Sequence, residues 1–352
     1  MEFVKNTWYP VTWSNEVDRS LTRHMIANEP VVVFRRQDGS VAALHDACPH
    51  RLAPLSLGTL IDDAIECGYH GMTFDCSGQC IRIPGQEVIP KNATVRAYPI
   101  EERYGLVWIW LGDPKQADIS KMFNVPQYGQ EGWHAVQGDV LRIECNYLSL
   151  VENLLDPAHV TFVHKSTLGT PAGASIPVNN EYGDNSISVW RWIPDAPPIP
   201  LFANFAKMTG QVDRWHYYDY TPPCFFDIDM GTCATGSIKD PEMRHTGVQM
   251  HSCHVLTPVD DRTVLQYWFH VRNFRVDEPE IDQELNAALE FAFKEDKIIL
   301  ERIQQEQERD PNAKQITLGI DAAPRRMHKM VQKLIEEERQ HLNTTANAGV
   351  AT

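Results

Sequence analysis

Cys48-Pro49-His50 is followed, after sixteen intervening residues, by Cys67-Gly68-Tyr69-His70. Each arm supplies one sulfur and one imidazole, and the gap between the arms is the size of a loop with short strands. Thiolate is a soft ligand that suits zinc and iron–sulfur centres, and imidazole suits zinc and iron. Two such arms close together in sequence read as one metal-binding unit around which a small domain is built.

Two metal readings fit those residue types. A Rieske [2Fe–2S] centre needs two Cys on one iron and two His on the other. A structural Cys2His2 zinc site usually pairs like with like, C-x2–4-C and then H-x3–5-H. Here each arm is mixed, which favours the cluster over zinc.

Outward from the arms, residues 1–112 are β-rich. Pro30-Val31-Val32-Val33-Phe34 and Val41-Ala42-Ala43-Leu44 flank Asp38-Gly39, a hairpin signal. Met72-Thr73-Phe74 reads as a short strand beside the second arm, and Leu106-Val107-Trp108-Ile109-Trp110 as a buried strand ended by Gly112-Asp113-Pro114. Residues 113–135 are polar and turn-rich, a connector. Residues 136–342 form a second domain. It opens with a helix over about 145–156 and carries strands broken by Pro194, Pro197, Pro198 and Pro200. A hairpin follows, Gly247–Leu256 with Thr263–Val271, turned through Pro258 to Asp261. A helix over about 280–307 and an amphipathic helix over about 325–342 complete it. Residues 343–352 are expected to be disordered. The fold class is α+β, an all-β domain followed by an antiparallel sheet with flanking helices.

At 352 residues the chain is long enough for two cores. Its net charge of −15 argues against nucleic acid and anionic membranes as partners. The first residues lack a basic head followed by an apolar run, so no signal peptide is expected. No stretch approaches 18 uninterrupted apolar residues, so no span is expected. A cytoplasmic location follows, in which the eight Cys are metal ligands or reduced thiols rather than a disulfide framework.

A second constellation lies at Asn153, Asp156, His159 and His164. On a regular helix, the five-residue spacing of the two His would splay their rings by roughly 140°. Both can meet one ion only where the backbone bends, and Pro157 provides a break. On the long helix, Leu285, Leu289, Ala292, Phe293, Ile299, Leu300 and Ile303 form an apolar stripe with Asp296 in its middle. A buried carboxylate costs several kcal/mol unless it is paired or metal-bound. The residues alone leave both options open. Two His and one carboxylate is the facial-triad set of mononuclear non-haem Fe(II), which keeps positions open for dioxygen.

Both sets together resemble the Rieske non-haem iron oxygenases, in their terminal oxygenase component. The C-x-H and C-x2-H arms and N-x2-D-x2-H-x4-H match that family's pattern. Lys5-Asn6-Thr7-Trp8-Tyr9, Pro84-Gly85-Gln86, Arg272-Asn273-Phe274 and Lys294-Glu295-Asp296 resemble the branch of vanillate O-demethylase, dicamba O-demethylase and toluenesulfonate methyl-monooxygenase. The likeness spans residues 3–340.

The resemblance implies that Cys48 and Cys67 hold one cluster iron and His50 and His70 the other. It implies that His159, His164 and Asp296 hold the mononuclear Fe(II), with Asn153 close by. Asp156 would bridge to the cluster of a neighbouring subunit in a homotrimer. In this branch the pocket lies between the hairpin and the long helix, and His254 matches a substrate-contacting His. His251, three residues away, faces the other side of the strand. Trp268, Phe269 and Phe293 are aromatic candidates for the same pocket. Rieske proteins of high potential carry a further Cys three residues after the first His, where Ala53 stands. They also carry a hydroxyl two residues after the second His, where Met72 stands. Both departures imply a low-potential cluster and leave Cys76 and Cys80 as free thiols.

The implied reaction uses O2 as co-substrate and electrons from NAD(P)H, delivered by a ferredoxin or flavin reductase. It hydroxylates a methyl or methoxy carbon of a small aromatic acid, and a hydroxylated methoxy group collapses to a phenol and formaldehyde. The rivals are a ring-hydroxylating dioxygenase, an N-dealkylating monooxygenase, and a Rieske electron carrier without an oxygenase site. No G-x-S-x-G, G-x-G-x-x-G or P-loop motif is present.

Overall fold

The structure is a computed structural model and describes residues 2–349. The chain forms two compact units. One comprises residues Met1–Met122 with Thr257–Asp260, and the other Phe123–Leu256 with Asp261–Thr352.

The first unit is built on β-strands, with only short 3-10 turns between them. Strands β2 (Thr22–Ile26), β3 (Glu29–Arg35) and β4 (Val41–His45) form one sheet. The Asp38-Gly39 turn joins β3 to β4, and Gly39 takes a left-handed φ of 87° there. Strands β5 (Thr59–Ile61), β6 (Ala64–Glu66), β7 (Thr73–Phe74) and β8 (Cys80–Arg82) form a second sheet. Strand β1 (Trp8–Trp13) pairs with β10 (Leu106–Trp110), which pairs with β9 (Ile100–Arg103). Every residue of β10 is buried, as its unbroken apolar run requires.

The second unit is built on a seven-stranded antiparallel sheet. Its strands are β11 (His134–Ile143), β12 (Asn179–Tyr182), β13 (Ile187–Ala196), β14 (Val212–Thr221), β15 (Phe225–Ala234), β16 (Val248–Asp260) and β17 (Thr263–Arg272). They lie in the order β11-β17-β16-β15-β14-β13-β12. Strand β16 runs through Pro258, where a turn was expected, so the hairpin turn shrinks to Asp261-Arg262. The Pro258 carbonyl accepts from Ala27 N–H at 2.6 Å and Val259 O from Asn28 N–H at 3.0 Å, which keeps this end of the strand extended. Strand β11 bulges between Gln137 and Val140, and a Cβ at Gly138 would sit 2.3 Å from the Trp268 ring. The glycine is therefore needed for close approach rather than for its φ.

Five helices accompany the sheet: α1 (Tyr147–Leu154), α2 (Val160–Val163), α3 (Pro200–Phe205), α4 (Asp282–Arg309) and α5 (Ala322–Gly349). Asn146 caps α1 by accepting Leu148 N–H at 2.9 Å. In α4, Leu285, Leu289, Ala292, Phe293, Asp296 and Leu300 are buried. Ile299 and Ile303 are not part of that stripe. They are 40% and 42% exposed: Ile303 is five full turns from Leu285 and shares its face, but this part of α4 borders an open groove rather than the sheet. Helix α5 continues over 343–349, where disorder was expected. Its one proline, Pro324, sits in the first turn, where it is tolerated, and its first glycine is Gly349. The remaining expected tail, 350–352, lies outside the described residues.

Candidate functional site: two metal-ligand sets

The first set lies on two closed turns. In one, Cys48 N–H donates to Ala53 O at 2.9 Å and Leu52 N–H to Cys48 O at 2.8 Å. In the other, Cys67 N–H donates to Met72 O at 2.8 Å and Gly71 N–H to Cys67 O at 3.0 Å. Gly71 has φ 73°, and a side chain there would also meet Pro84 at 2.8 Å. The turns bury both sulfurs, each Cys being 2% exposed, and leave His50 and His70 at the surface with ring centroids 4.6 Å apart. Burial, together with the neighbouring Cys67 thiol, raises the Cys48 thiol above its ordinary value. Two facing thiols inside and two imidazoles outside suit a two-iron cluster with unlike ends. Met72 lines the cleft beside both imidazoles. Cys76 and Cys80 are free, their sulfurs turned to Asp63 O and Arg82 O.

The second set is more compact. Helix α2 has only four residues, and His164 leaves it with φ −99° and ψ 43°. That exit cancels the angular splay of a regular helix. His159 Nε2 and His164 Nε2 come within 3.3 Å. Asp296 places Oδ1 3.5 Å from His159 Nε2 and Oδ2 3.2 Å from His164 Nε2. Among the described residues this is the one group of three ligand-type side chains that converges so tightly, with all ligand atoms within 4.8 Å. Two side chains outside the triad orient it. Asn153 Nδ2 donates to Asp296 Oδ1 at 3.1 Å, and Glu295 Oε2 lies 3.0 Å from His164 Nδ1.

The charges agree with a cation site. Burial would raise the Asp296 carboxyl, but the hydrogen bond and charge of His164, the charge of His159 and the Asn153 amide together hold it below its ordinary value. Burial would lower His164, but Asp296 and Glu295 outweigh it and raise the imidazole. His159 is depressed, first by burial and also by His164. Two imidazoles that can be neutral, an ionised carboxylate and an oriented outer carboxylate make a cradle that a dication fits.

The aromatic candidates separate by face. His254, Trp268 and Phe293 cluster, with the Phe293 ring 4.8 Å from His254 and 5.1 Å from Trp268. Both His254 nitrogens are engaged, Nδ1 with Gln266 Nε2 at 2.8 Å and Nε2 with Ser252 Oγ at 3.0 Å. Burial pushes this His down to about 4, so the ring is neutral. His251 faces away, toward Asp227 at 3.0 Å and the Trp133 ring. Phe269 also faces away, against Tyr128 at 5.7 Å, because neighbours in a strand alternate. It does not join the His254–Trp268–Phe293 cluster. Asp156 is half-buried, with Oδ1 accepting Ala158 N–H at 2.8 Å. With His159 and Asn153 it lines a groove of about 530 Å³ that also carries Ile299, Ile303 and Ile316.

Sequence reasoning gave Glu295 no role. Its position beside Asp296 was the available signal. It also passed over Arg191, Arg214 and His216, buried on β13 and β14. Alternation through Arg214, His216, Tyr218 and Tyr220 marks one face of β14 and was the signal for the two on that strand.

Comparison with known proteins bears on both sets. Residues 7–99 match the Rieske [2Fe-2S] domain model, and residues 143–337 match the vanillate O-demethylase oxygenase C-terminal domain. The iron-sulfur subunit of the toluene-4-sulfonate monooxygenase system of Comamonas testosteroni is 33% identical over 343 residues, covering 96% of this chain and 98% of that protein. The oxygenase component of dicamba O-demethylase of Stenotrophomonas maltophilia is 32% identical over 345 residues, covering 96% and 99%. A crystal structure of dicamba monooxygenase bound to 3,6-dichlorosalicylic acid superposes with a TM-score of 0.88 at 31% identity, covering 96% of this chain and 99% of that one.

Proposed function

The chain belongs to the Rieske non-haem iron oxygenases, with the C-terminal domain of vanillate O-demethylase oxygenase subunits, and from that membership we propose that it hydroxylates a methyl or methoxy group of an aromatic acid. It is an oxidoreductase of the monooxygenase class and an oxygenase component of a multicomponent system. Its cofactors are a Rieske [2Fe–2S] cluster and a mononuclear non-haem iron. No helix among the described residues is long and apolar enough to cross a membrane.

Cys48, Cys67, His50 and His70 would hold the cluster, and His159, His164 and Asp296 the mononuclear iron. When bound, that iron supplies dioxygen activation, with electrons that reach the cluster from an NAD(P)H-linked reductase. The single observation that carries the reading is the convergence of the three ligand side chains beside an aromatic wall. Phe293 lies one turn before Asp296 on the same face of α4, and His254 senses the Asp296 charge. Phe293 and Trp268 pack a ring and exclude water. Neutral His254 adds no charge beside the reacting carbon. Glu295 and Asn153 hold the ligand side chains in one orientation, so that little reorganisation accompanies the reaction. For a methoxy substrate, the hydroxylated carbon is a hemiacetal that separates into a phenol and formaldehyde.

The working assembly in this reading is a homotrimer in the cytoplasm. The groove beside Asp156 and His159 receives the exposed His50/His70 tip of a second copy, and Asp156 bridges His70 of that copy to His159. Apolar side chains at both places support this. Leu57 is 77% exposed and Tyr69 58% near the tip, and Ile316 is 84% exposed at the groove.

The test is formaldehyde release and O2 uptake over a panel of methoxy-, methyl- and N-alkyl-substituted aromatic acids with a surrogate reductase. Methoxy substrates are expected to yield formaldehyde and a phenol in equal amounts. A dihydrodiol product would replace this reading with ring dihydroxylation, and no substrate-dependent O2 uptake would replace it with electron carriage alone.

A further inference from the structure

Three neighbours on one face of β17 carry buried polar atoms without a partner among the described residues. Trp268, His270 and Arg272 alternate with Phe269 and Val271, so they point the same way. They are 1%, 0% and 0% exposed. Trp268 Nε1, both ring nitrogens of His270 and Arg272 Nε lack a hydrogen-bond partner. The rest of the Arg272 guanidinium is matched. Its Nη2 donates to Asp282 Oδ1 at 2.8 Å and to Glu278 O at 3.3 Å, and its Nη1 to the carbonyls of Phe274 and Arg275. His270 is matched at neither nitrogen. An unpaired buried polar atom carries its full desolvation cost, and a phenyl ring would fill the same space without it. Packing alone therefore does not account for an imidazole here.

Direct contacts on either side fix where that imidazole lies. Arg272, two residues beyond it, holds Asp282 at the start of α4. Trp268, two residues before it, packs on Phe293 of the same helix with ring centroids 5.1 Å apart. Between these contacts Asn286 Nδ2 donates to Gln137 O at 2.8 Å, and Gln137 pairs with Phe269. His270 thus lies between the sheet and the first half of α4, continuous with the His254–Trp268–Phe293 cluster. The step from Asp296 to Phe293 is about 4.5 Å along the helix, and that from Trp268 to His270 about 7 Å along the strand. The imidazole is therefore on the order of 10–15 Å from the triad. A benzene ring with substituents at opposite ends spans such a gap when one substituent is at the metal. On the adjoining strand β16, Gln249 O accepts Asn273 N–H at 3.1 Å, and three residues inward on each strand bring Ser252 beside His270. With Gln266 Nε2 donating to His254 Nδ1, His254 Nε2–H donates to Ser252 Oγ, which leaves the serine O–H to donate in turn.

We propose that His270 is a specificity-determining residue that donates an N–H to a carboxylate or sulfonate on the aromatic substrate, beside Trp268 Nε1–H, so that the opposite end of the ring meets His159, His164 and Asp296. The identity of the ligand rests on the oxygenase reading. Burial first, and then the charge of Arg272, push the imidazole down to about 3, so the ring is neutral and Arg272 outweighs Asp282 in the field it feels. That field favours an anion. Ser252 O–H, Trp268 N–H and a His270 N–H are donors that an oxyanion satisfies together. A neutral ring leaves the same groups unpaired, so the site selects against it. Carboxylate and sulfonate share this chemistry.

The test is calorimetric binding to the assembled protein carrying both metals, without O2 or reductant, using 4-methoxybenzoate, 4-toluenesulfonate and neutral 4-methylanisole. The wild-type protein is expected to bind at least one anion tenfold or more tighter than 4-methylanisole, and the tighter anion identifies the headgroup. His270→Phe keeps a ring and removes both nitrogens, and Trp268→Phe removes the indole N–H. Each should weaken that anion by about 10–100-fold, the worth of a hydrogen bond to a charged group, and leave 4-methylanisole within about threefold. His270→Asn, which keeps an N–H donor, should fall between the wild type and His270→Phe, and serves if the Phe variant does not fold. Folding is checked by retention of both the cluster and the mononuclear iron. No preference for an anion in the wild type, or an equal loss for anionic and neutral probes in the His270 variants, overturns the proposal. Because binding is read without turnover, His270-dependent anion binding in a protein that consumes no O2 would keep the proposal and refute the oxygenase reading. Formaldehyde release from the anionic probe with no dependence on His270 would do the reverse.

Discussion

Glu295 Oε2 lies 3.0 Å from His164 Nδ1, and the other nitrogen of that ring faces Asp296 Oδ2 at 3.2 Å. The ring is held from behind, so Nε2 is the nitrogen presented to a metal. Glu295→Ala is expected to weaken mononuclear iron binding by roughly 10–100-fold, as loss of such an orienting carboxylate generally does. Glu295→Gln, which still accepts from Nδ1–H, should recover part of it. Iron titration of the metal-depleted site is the measurement. Unchanged affinity in the Ala variant would leave His164 oriented by its backbone alone.

Asp296→Ala removes the only carboxylate of the triad. The variant should retain the cluster's visible absorption and lose mononuclear iron. Iron analysis decides: a full complement per chain would refute the ligand role of Asp296.

Metal binding at the triad should depend on pH in a defined direction. His164 is raised above its ordinary value, burial opposing and Asp296 and Glu295 overcoming it, so a proton there competes with a bound ion. Asp296 is lowered and stays ionised. Below the raised His164 value the ion must displace that proton, and affinity should fall by up to about tenfold per pH unit. Above it the dependence should flatten. Iron titrations from pH 5.5 to 8.5, with proton release followed in weak buffer, read both limbs. An affinity that rises toward low pH would contradict the assignment.

Asp156→Asn keeps the acceptor for Ala158 N–H and removes the charge in the groove. Under the trimer reading, both metals stay bound while turnover falls by at least about a hundredfold, ~2.7 kcal/mol of barrier. Cluster reduction by the reductase should be unaffected. Full turnover with both irons in place would show that Asp156 carries no electron path.

Met72 offers its carbonyl to Cys67 N–H and has no hydroxyl to donate to a cluster sulfur. The cluster should therefore titrate in the lower part of the Rieske range, which spans about −150 to +300 mV. Met72→Ser should raise the potential. A wild-type value above about +200 mV would sink this reading.

Much of the molecule was legible in the chain itself because the signals were local. The Cys48/His50 and Cys67/His70 arms are short turns, and the hydrophobic run 106–110 has one buried solution. Asp296 could be recognised as an oddity because a carboxylate in the middle of an apolar stripe is expensive wherever the helix packs. The stripe was misjudged at Ile299 and Ile303, where packing decides which shoulder of the helix is covered. Trp268 and Phe269 alternate and cannot share one face; which of the two meets Phe293 was decided by how β17 packs.

The sequence by itself determined the ligand types, their grouping into two sets and the α+β class, since ligand chemistry and periodicity are properties of neighbouring residues. Only the tertiary structure decided that His159 and His164 turn to face one point, because the helix between them ends at His164. Only it attached Glu295 to His164 across 131 positions of chain. Only it set Arg191 beside Arg214, through the register of β13 against β14. Those relations are distances between side chains remote in sequence, and pairing register and helix packing fix them.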